Sequence, residues 1–245
     1  MIDTASVKAL LASDDISAIK KGLSALTTKE MLEEYSEAML EDKQKWLQLQ
    51  VMLHSRVLKV QEAKGAKPSD ISKTYRRVAD VWNRLGESDK AVGQLQKSLA
   101  MEPDNLQSLQ LLSSTHVNLA EYGKAIDVQK KLMEVMSSKK VSDADLLLAK
   151  AQLATIYDAK GEFQTAITLL KECENICKKE TYLAEIYSRL GLILEKIGMD
   201  KEAIENLTKA RDIFERTKGK DHKKTQEVAY LLEMAQSTEM TTSPY

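Results

Sequence analysis

Residues 72–105 read SKTYRRVADVWNRLGESDKAVGQLQKSLAMEPDN, and residues 106–139 repeat their pattern of small and large side chains. Ala79, Ala91 and Ser98 of the first stretch return as Ser113, Ala125 and Leu132 in the second, each 34 residues later. Around the first set, Tyr75, Val78 and Trp82 fall on one helical face, Gly86 marks a turn, and Leu95 and Leu99 continue on a second helix that Pro103 closes. Two antiparallel helices cross closely only where small side chains meet, so a recurring small-residue code with larger apolar neighbours describes a repeated helix hairpin.

Working outward, the second copy carries Leu109, Leu112, Tyr122 and Met133, with Ala120 standing where the turn glycine is expected and no closing proline. A third copy begins near Leu147, after an insertion around Lys139 to Asp145, and supplies Leu153, Ala154, Tyr157, Gly161, Phe163, Ala166, Leu170 and Cys173. The fourth begins near Ala184, with Tyr187, Leu190, Gly191, Leu194, Gly198, Ala203, Leu207 and Ala210 in the same slots. The expected repeats are therefore 72–105, 106–139, 147–180 and 184–217.

This pattern resembles the tetratricopeptide repeat family over roughly Ser69 to Ala235. The resemblance implies an all-α fold, a right-handed superhelix of helix pairs whose concave face, lined by the first helix of each pair, holds a peptide or helix of a partner. No hairpin buries its apolar face alone, so stacking makes a continuous core and leaves a broad curved surface. Further on, Gly219, Lys220, Asp221 and His222 join the fourth repeat to an apolar helix. That turn resembles the longer repeats of kinesin light chains, departing from them at Lys223, where those continue with proline.

Composition agrees. The 245 residues include only three prolines, nine glycines and 5% aromatics, and no strand-like run bounded by turn residues is present. Lys and Arg number 36 against 37 Asp and Glu, a balance without bulk attraction for nucleic acid or membrane. No apolar run approaches the roughly 18 residues of a membrane span. Asp3 interrupts any secretory signal, so the expectation is a cytoplasmic chain, with cytoskeletal association as the context the light-chain likeness implies.

The first 68 residues read as a helical cap. Ser13, Asp14 and Asp15 are suited to cap a helix running toward Leu26, after a short helix near Val7 to Leu11. Thr27 and Glu30 form a capping box for one long helix over about residues 28–64. Its heptad of Leu32, Tyr35, Met39, Trp46, Leu49, Leu53 and Val60 is interrupted by Asp42 and Arg56, while Leu47, Val51, Met52, Val57 and Leu58 add a second stripe. A helix apolar on two sides is best buried on both. Docking on the first repeat is the preferred reading, with self-association through this helix the alternative. At the other end Val228, Leu231, Leu232 and Ala235 mark a capping helix within 69–236, and residues 237–245 read as a flexible tail.

The repeat register directs particular positions of each first helix into the concave face. They are Lys73, Arg76, Asp80, Asn83 and Arg84 in repeat one, and Gln107, Gln110, Ser114, Val117 and Asn118 in repeat two. Repeats three and four add Leu148, Ala151, Thr155, Asp158, Glu185, Ser188, Leu192, Glu195 and Lys196. The two-carboxylate clamp of chaperone-binding family members needs lysine and asparagine where Arg76 and Asp80 stand. An aspartate repels the carboxylate it should receive, so that ligand class is excluded. Cys173 and Cys177 lie four apart on one helix face with no further cysteine, which fits packing better than a metal or redox site. His116 replaces a large core residue and is expected to pack.

No phosphate loop, metal-ligand spacing or nucleophile motif occurs, and no cofactor is implied. The reading is a non-enzymatic scaffold or adaptor for a protein partner. Its alternatives are a stoichiometric subunit of a cytoskeletal or ciliary assembly and a regulatory subunit associated with an enzyme.

Overall fold

A computed structural model describes residues 9–22, 24 and 37–242, with the side chains of 37–43 and 238–242 outside the description. Every regular element among the described residues is helical. Two short helical stretches, 9–12 and 16–22, precede α1 (Glu37–Ala63), α2 (Pro68–Arg84), α3 (Ser88–Met101), α4 (Leu106–Asn118) and α5 (Tyr122–Ser138). Then come α6 (Asp143–Lys160), α7 (Phe163–Ile176), α8 (Glu180–Lys196), α9 (Asp200–Lys218) and α10 (Lys223–Thr242). The chain forms two compact units, Met1–Val128 and Gln129–Tyr245.

Local chemistry sets the boundaries. Asp15 accepts the backbone N–H groups of Ser17 at 2.8 Å and Ala18 at 3.3 Å, the cap foreseen for the second stretch. Pro68 opens α2 at a position whose N–H would have no helical partner. Asn105 caps α4 by accepting from Ser108, and Ser142 caps α6 by accepting from Asp145. Four hairpin turns share one geometry: Gly86, Gly161 and Gly198 take φ of 78°, 87° and 76°, and Ala120 takes 54°. In each, the next residue's N–H returns 2.9 Å to a carbonyl five residues back. That closure requires a left-handed residue, which glycine adopts freely and alanine only under strain.

In the first unit α1 is buried on two sides. Leu53 and Val57, with Trp46 and Leu49, receive Leu10, Leu11, Ile16 and Ile19. Leu47 and Val51 pack on Val81, Trp82 and Leu85 of α2 and its turn, and Leu58 packs on Ile71, Tyr75 and Val78. Arg56, which reads as a fault in a heptad seam, fastens the first stretches instead. Its Nε donates to the Ser13 carbonyl at 3.0 Å, and Nη2 reaches the Asp14 carboxylate at 2.7 Å. Leu26, Thr27, Glu30, Leu32 and Tyr35, named for the caps and the seam, lie outside the described residues.

The α2–α3 pair closes around Ala79, Ala91 and Leu95, and α4 joins it through Leu112. Three buried hydroxyls thread the same interfaces: Ser72 Oγ lies 2.9 Å from Ser98 Oγ, which lies 2.8 Å from Ser108 Oγ. Another buried hydroxyl, Ser113 Oγ, donates to the Ala125 carbonyl at 3.3 Å, where α4 and α5 approach. His116 is buried as expected, yet packing is only part of its role: its Nδ1 lies 2.7 Å from Glu121 Oε2 across the turn.

The second unit is drier. Leu147, Ala151 and Ala154 of α6, Ala166, Ile167, Leu170 and Cys173 of α7, and Leu190 and Ile193 of α8 form one cluster. Leu207, Ala210 and Phe214 of α9 form another with Val228, Leu232 and Ala235 of α10. The α8–α9 crossing is close: a Cβ on Gly191 would sit 2.6 Å from Leu207 Cγ and 3.2 Å from the Ala203 carbonyl oxygen. The Gly219–His222 turn is tied to α10, since Thr225 Oγ1 donates to the Gly219 carbonyl at 2.8 Å and His222 Nδ1 accepts the Lys224 N–H at 3.2 Å. The last helix continues to Thr242, through positions 237–242 that the sequence reads as tail.

Candidate functional site

Within the second unit, α6, α8 and α10 each turn one face into a cleft of about 390 Å³. From α6 come Thr155 and Asp158, and from α8 Glu185, Ser188 and Leu192, all five expected there from the register. Lys196, named with them, lines it too, whereas Leu148 does not and Ala151 is buried in the core. The register did not name Arg189, Ile193, Phe214, Lys224, Glu227, Val228 or Leu231. A signal for the α10 contribution was present: Lys224, Glu227, Val228 and Leu231 follow i, i+3, i+4, i+7, the spacing of one helix face.

The floor is apolar, made by Leu192, Ile193, Phe214, Val228 and Leu231. The walls carry three carboxylates, Asp158, Glu185 and Glu227, and three cations, Arg189, Lys196 and Lys224; Lys223, outside the lining, serves Glu227. Lys196 Nζ holds both oxygens of Asp158 at 2.9 and 2.8 Å, Lys224 holds Glu185, and Lys223 stands 3.7 Å from Glu227. Arg189 donates to Thr155 Oγ1. Asp158 is only 15% exposed, so its pair with Lys196 is partly shielded from water. Such a surface has little net field, and its free energy of binding must come from the floor.

The first unit bears the remaining expected residues on α2 and α4. Apart from the half-buried Val117, this face is polar. Arg76 Nη1 donates to Asn105 Oδ1 at 3.3 Å and Asn83 Nδ2 to Thr115 Oγ1 at 2.7 Å, linking the two helices. Ser114 turns its hydroxyl back to the Leu111 carbonyl at 2.9 Å. Lys73, Arg84, Gln107, Gln110 and Asn118 are exposed. Asp80 stands between Arg76 and Arg84 on α2, and the protein packed at its base pushes its carboxyl above the usual range. Burial, with Arg77 adding repulsion, lowers the Arg76 guanidinium from its ordinary value.

Cys173 is fully buried, and burial pushes its thiol up to about 11; Cys177 is half-buried. Among the described residues no group of His, Cys, Asp and Glu is placed to hold a metal ion, and no helix is long and apolar enough to cross a membrane.

Residues 184–214, which form most of α8, its turn and most of α9, match the sequence profile of the Tetratricopeptide repeat family. TPR-like repeats described as those of a kinesin light chain of Podosopora anserina superpose with a TM-score of 0.62 at 19% identity, covering 80% of this chain and 98% of that one. The fold is that of a tetratricopeptide-repeat solenoid. Two further tetratricopeptide proteins superpose in the same way. TTC0263, a thermophilic protein of Thermus thermophilus, gives a TM-score of 0.56 at 18% identity over 89% of this chain and 99% of its own. YrrB, a TPR protein with an unusual peptide-binding site, gives 0.52 at 15% identity over 81% and 98%. A search of curated proteins by sequence returned no match.

Proposed function

We propose that this chain is a non-enzymatic protein-interaction scaffold, and that the cleft between α6, α8 and α10 holds a helix or extended segment of a partner protein. The observation that carries the reading is the apolar floor of Leu192, Ile193, Phe214, Val228 and Leu231 behind walls whose carboxylates are already paired. A segment entering the cleft gains burial of its apolar side chains without having to match unpaired charge. The tetratricopeptide fold supports the reading, since it presents its first helices as a wall of adjacent faces. YrrB, described as having a peptide-binding site, shares that fold. The light-chain-like turn at Gly219 to His222 points to cytoskeletal transport as the setting.

Affinity purification from the source cell with three baits tests this: the intact chain, Leu192→Glu, and the Arg76→Glu, Arg84→Glu double variant. Loss of one partner set from Leu192→Glu, at unchanged thermal stability and with retention by the double variant, is the expected result. Loss only from the double variant would move binding to the polar face of the first unit. One constant complex retained by all three would replace the adaptor with a structural subunit held by other surfaces.

A further inference from the structure

The second unit has another concavity, of about 780 Å³, where the end of α5, the start of α6, the end of α7 and the start of α8 come together. Its wall is apolar, built from Met133, Leu146, Leu147, Ile176 and Tyr182. Ile176, in the last turn of α7, is 60% exposed. Neither the core nor the cleft of the proposed scaffold uses it. A volume within the roughly 300–1,000 Å³ of ordinary binding pockets, edged by a large aliphatic side chain facing water, is a surface suited to a ligand.

Charge at the rim states which ligand. Lys178 and Lys179 stand on the short non-helical link after Ile176, and Lys179 lies 4.8 Å from the centre of the Tyr182 ring. The carboxylates nearby are already engaged: Glu172 by Lys150, which also lines the concavity, Glu180 by Arg216 at 2.9 Å, and Glu174 by the Tyr187 hydroxyl at 3.0 Å. Asp143 is the one acid in the lining, at the start of α6. The walls of the cleft, by contrast, neutralise themselves.

We propose that this crater is a second docking site, for an acidic segment of a protein partner that inserts a large apolar side chain beside Ile176 and sets a carboxylate on Lys178 and Lys179. The apolar anchor supplies affinity, and the two ammonium groups select the flanking charge and the register. The two concavities then read different sequences, a neutral apolar one in the cleft and an acidic apolar one here.

A random peptide library displayed on phage, panned on the full chain, tests the site, with enriched peptides labelled and titrated by fluorescence anisotropy. The expected class carries Glu or Asp next to Leu, Met or Phe. Its affinity falls by about 30-fold on Ile176→Glu, the loss of a central anchor. It falls about fivefold on the Lys178→Glu, Lys179→Glu double variant, more at low salt than at high. It is unchanged on Leu192→Glu, which separates this site from the cleft. Ile176 is exposed, so Ile176→Glu should melt with the parent chain; if it does not, Ile176→Ser serves in its place. Enriched peptides indifferent to position 176, peptides with basic flanks, or no enrichment would each overturn the proposal. So would a wild-type dimer in sedimentation that Ile176→Glu makes monomeric, since the occupant would then be a second copy.

Discussion

The two units use one repeat code and fill it with different chemistry. Of the buried polar side chains among the described residues, eleven lie in the first unit and only Gln129 and Thr225 in the second. Where the first unit joins helices through Ser72, Ser98 and Ser108, the matching slots of the second hold Leu147 and Ala184, Cys173 and Ala210, and Ala149 and Ile186. Hydroxyl contacts are directional and add little net stability, whereas alkyl contacts are stronger and indifferent to angle. The same division continues outward. The polar unit shows a hydrogen-bonded face at Arg76, Asn83 and Ser114, and the apolar unit shows an apolar floor. The period thus fixes where helices cross, and the two units fill some of those slots with different atoms.

Both tryptophans, Trp46 and Trp82, belong to the first unit, so tryptophan fluorescence follows that unit while circular dichroism follows both. The largest effect expected is from Gly191→Val, which forces side-chain atoms into Leu207 and the Ala203 carbonyl and should cost about 3 kcal/mol. Urea melting should then show an earlier dichroism transition with the fluorescence transition in place. Coincident shifts would mean that the units melt together.

Acid should act on the first unit. Burial, with Arg77 adding repulsion, lowers His54 from its ordinary 6.5 to about 4, so the fold holds the imidazole neutral while the unfolded chain protonates it. Stability from this group is complete above pH 6.5 and is lost as the pH falls toward 4. The total is on the order of 3 kcal/mol. Fluorescence-detected melting should show this slope, and His54→Gln should flatten it; an unchanged slope would place the acid sensitivity elsewhere.

Smaller is the effect of Ser98→Ala, which strips Ser108 of its hydroxyl partner and should cost about 1 to 3 kcal/mol in the fluorescence transition. Replacing Ser72, Ser98 and Ser108 together by alanine should cost less than the three single changes summed, because no orphan remains. An additive result would remove the hydroxyl chain as a unit. Least of all, Ala120→Gly should stabilise by about 1 kcal/mol, and Gly161→Ala should destabilise by a similar amount, because the same left-handed turn occurs in both units.

Much of the fold was legible because it rests on spacing. Small residues such as Ala79, Ala91, Gly191 and Ala203 report helix crossings, and Ala120 stands in the turn-glycine slot with a left-handed backbone. Asp15 was legible as a cap because capping acts over two or three residues. Arg56 was not, because its partners lie 42 and 43 residues away and a heptad count registers only an interruption. The cleft divides on the same line. Thr155, Asp158, Glu185, Ser188 and Leu192 follow from helix register, whereas the pairing of Glu185 with Lys224 depends on how α8 and α10 rotate against each other. Capping accounts for one face of α10, while its other face lines the cleft. Cys173 shows the reverse, a residue of reactive type whose slot in the code already marked it as packing.

Arg56 also bears on how the chain is made. The ribosome delivers Ala12, Ser13 and Asp14 long before the guanidinium that holds them, and at ordinary synthesis rates the wait is roughly 2 to 9 s. Until then Leu10, Leu11 and Ile16 have no α1 to lie on. This segment is therefore delivered well before the helix that holds it, and during that interval it is a segment a nascent-chain chaperone would find.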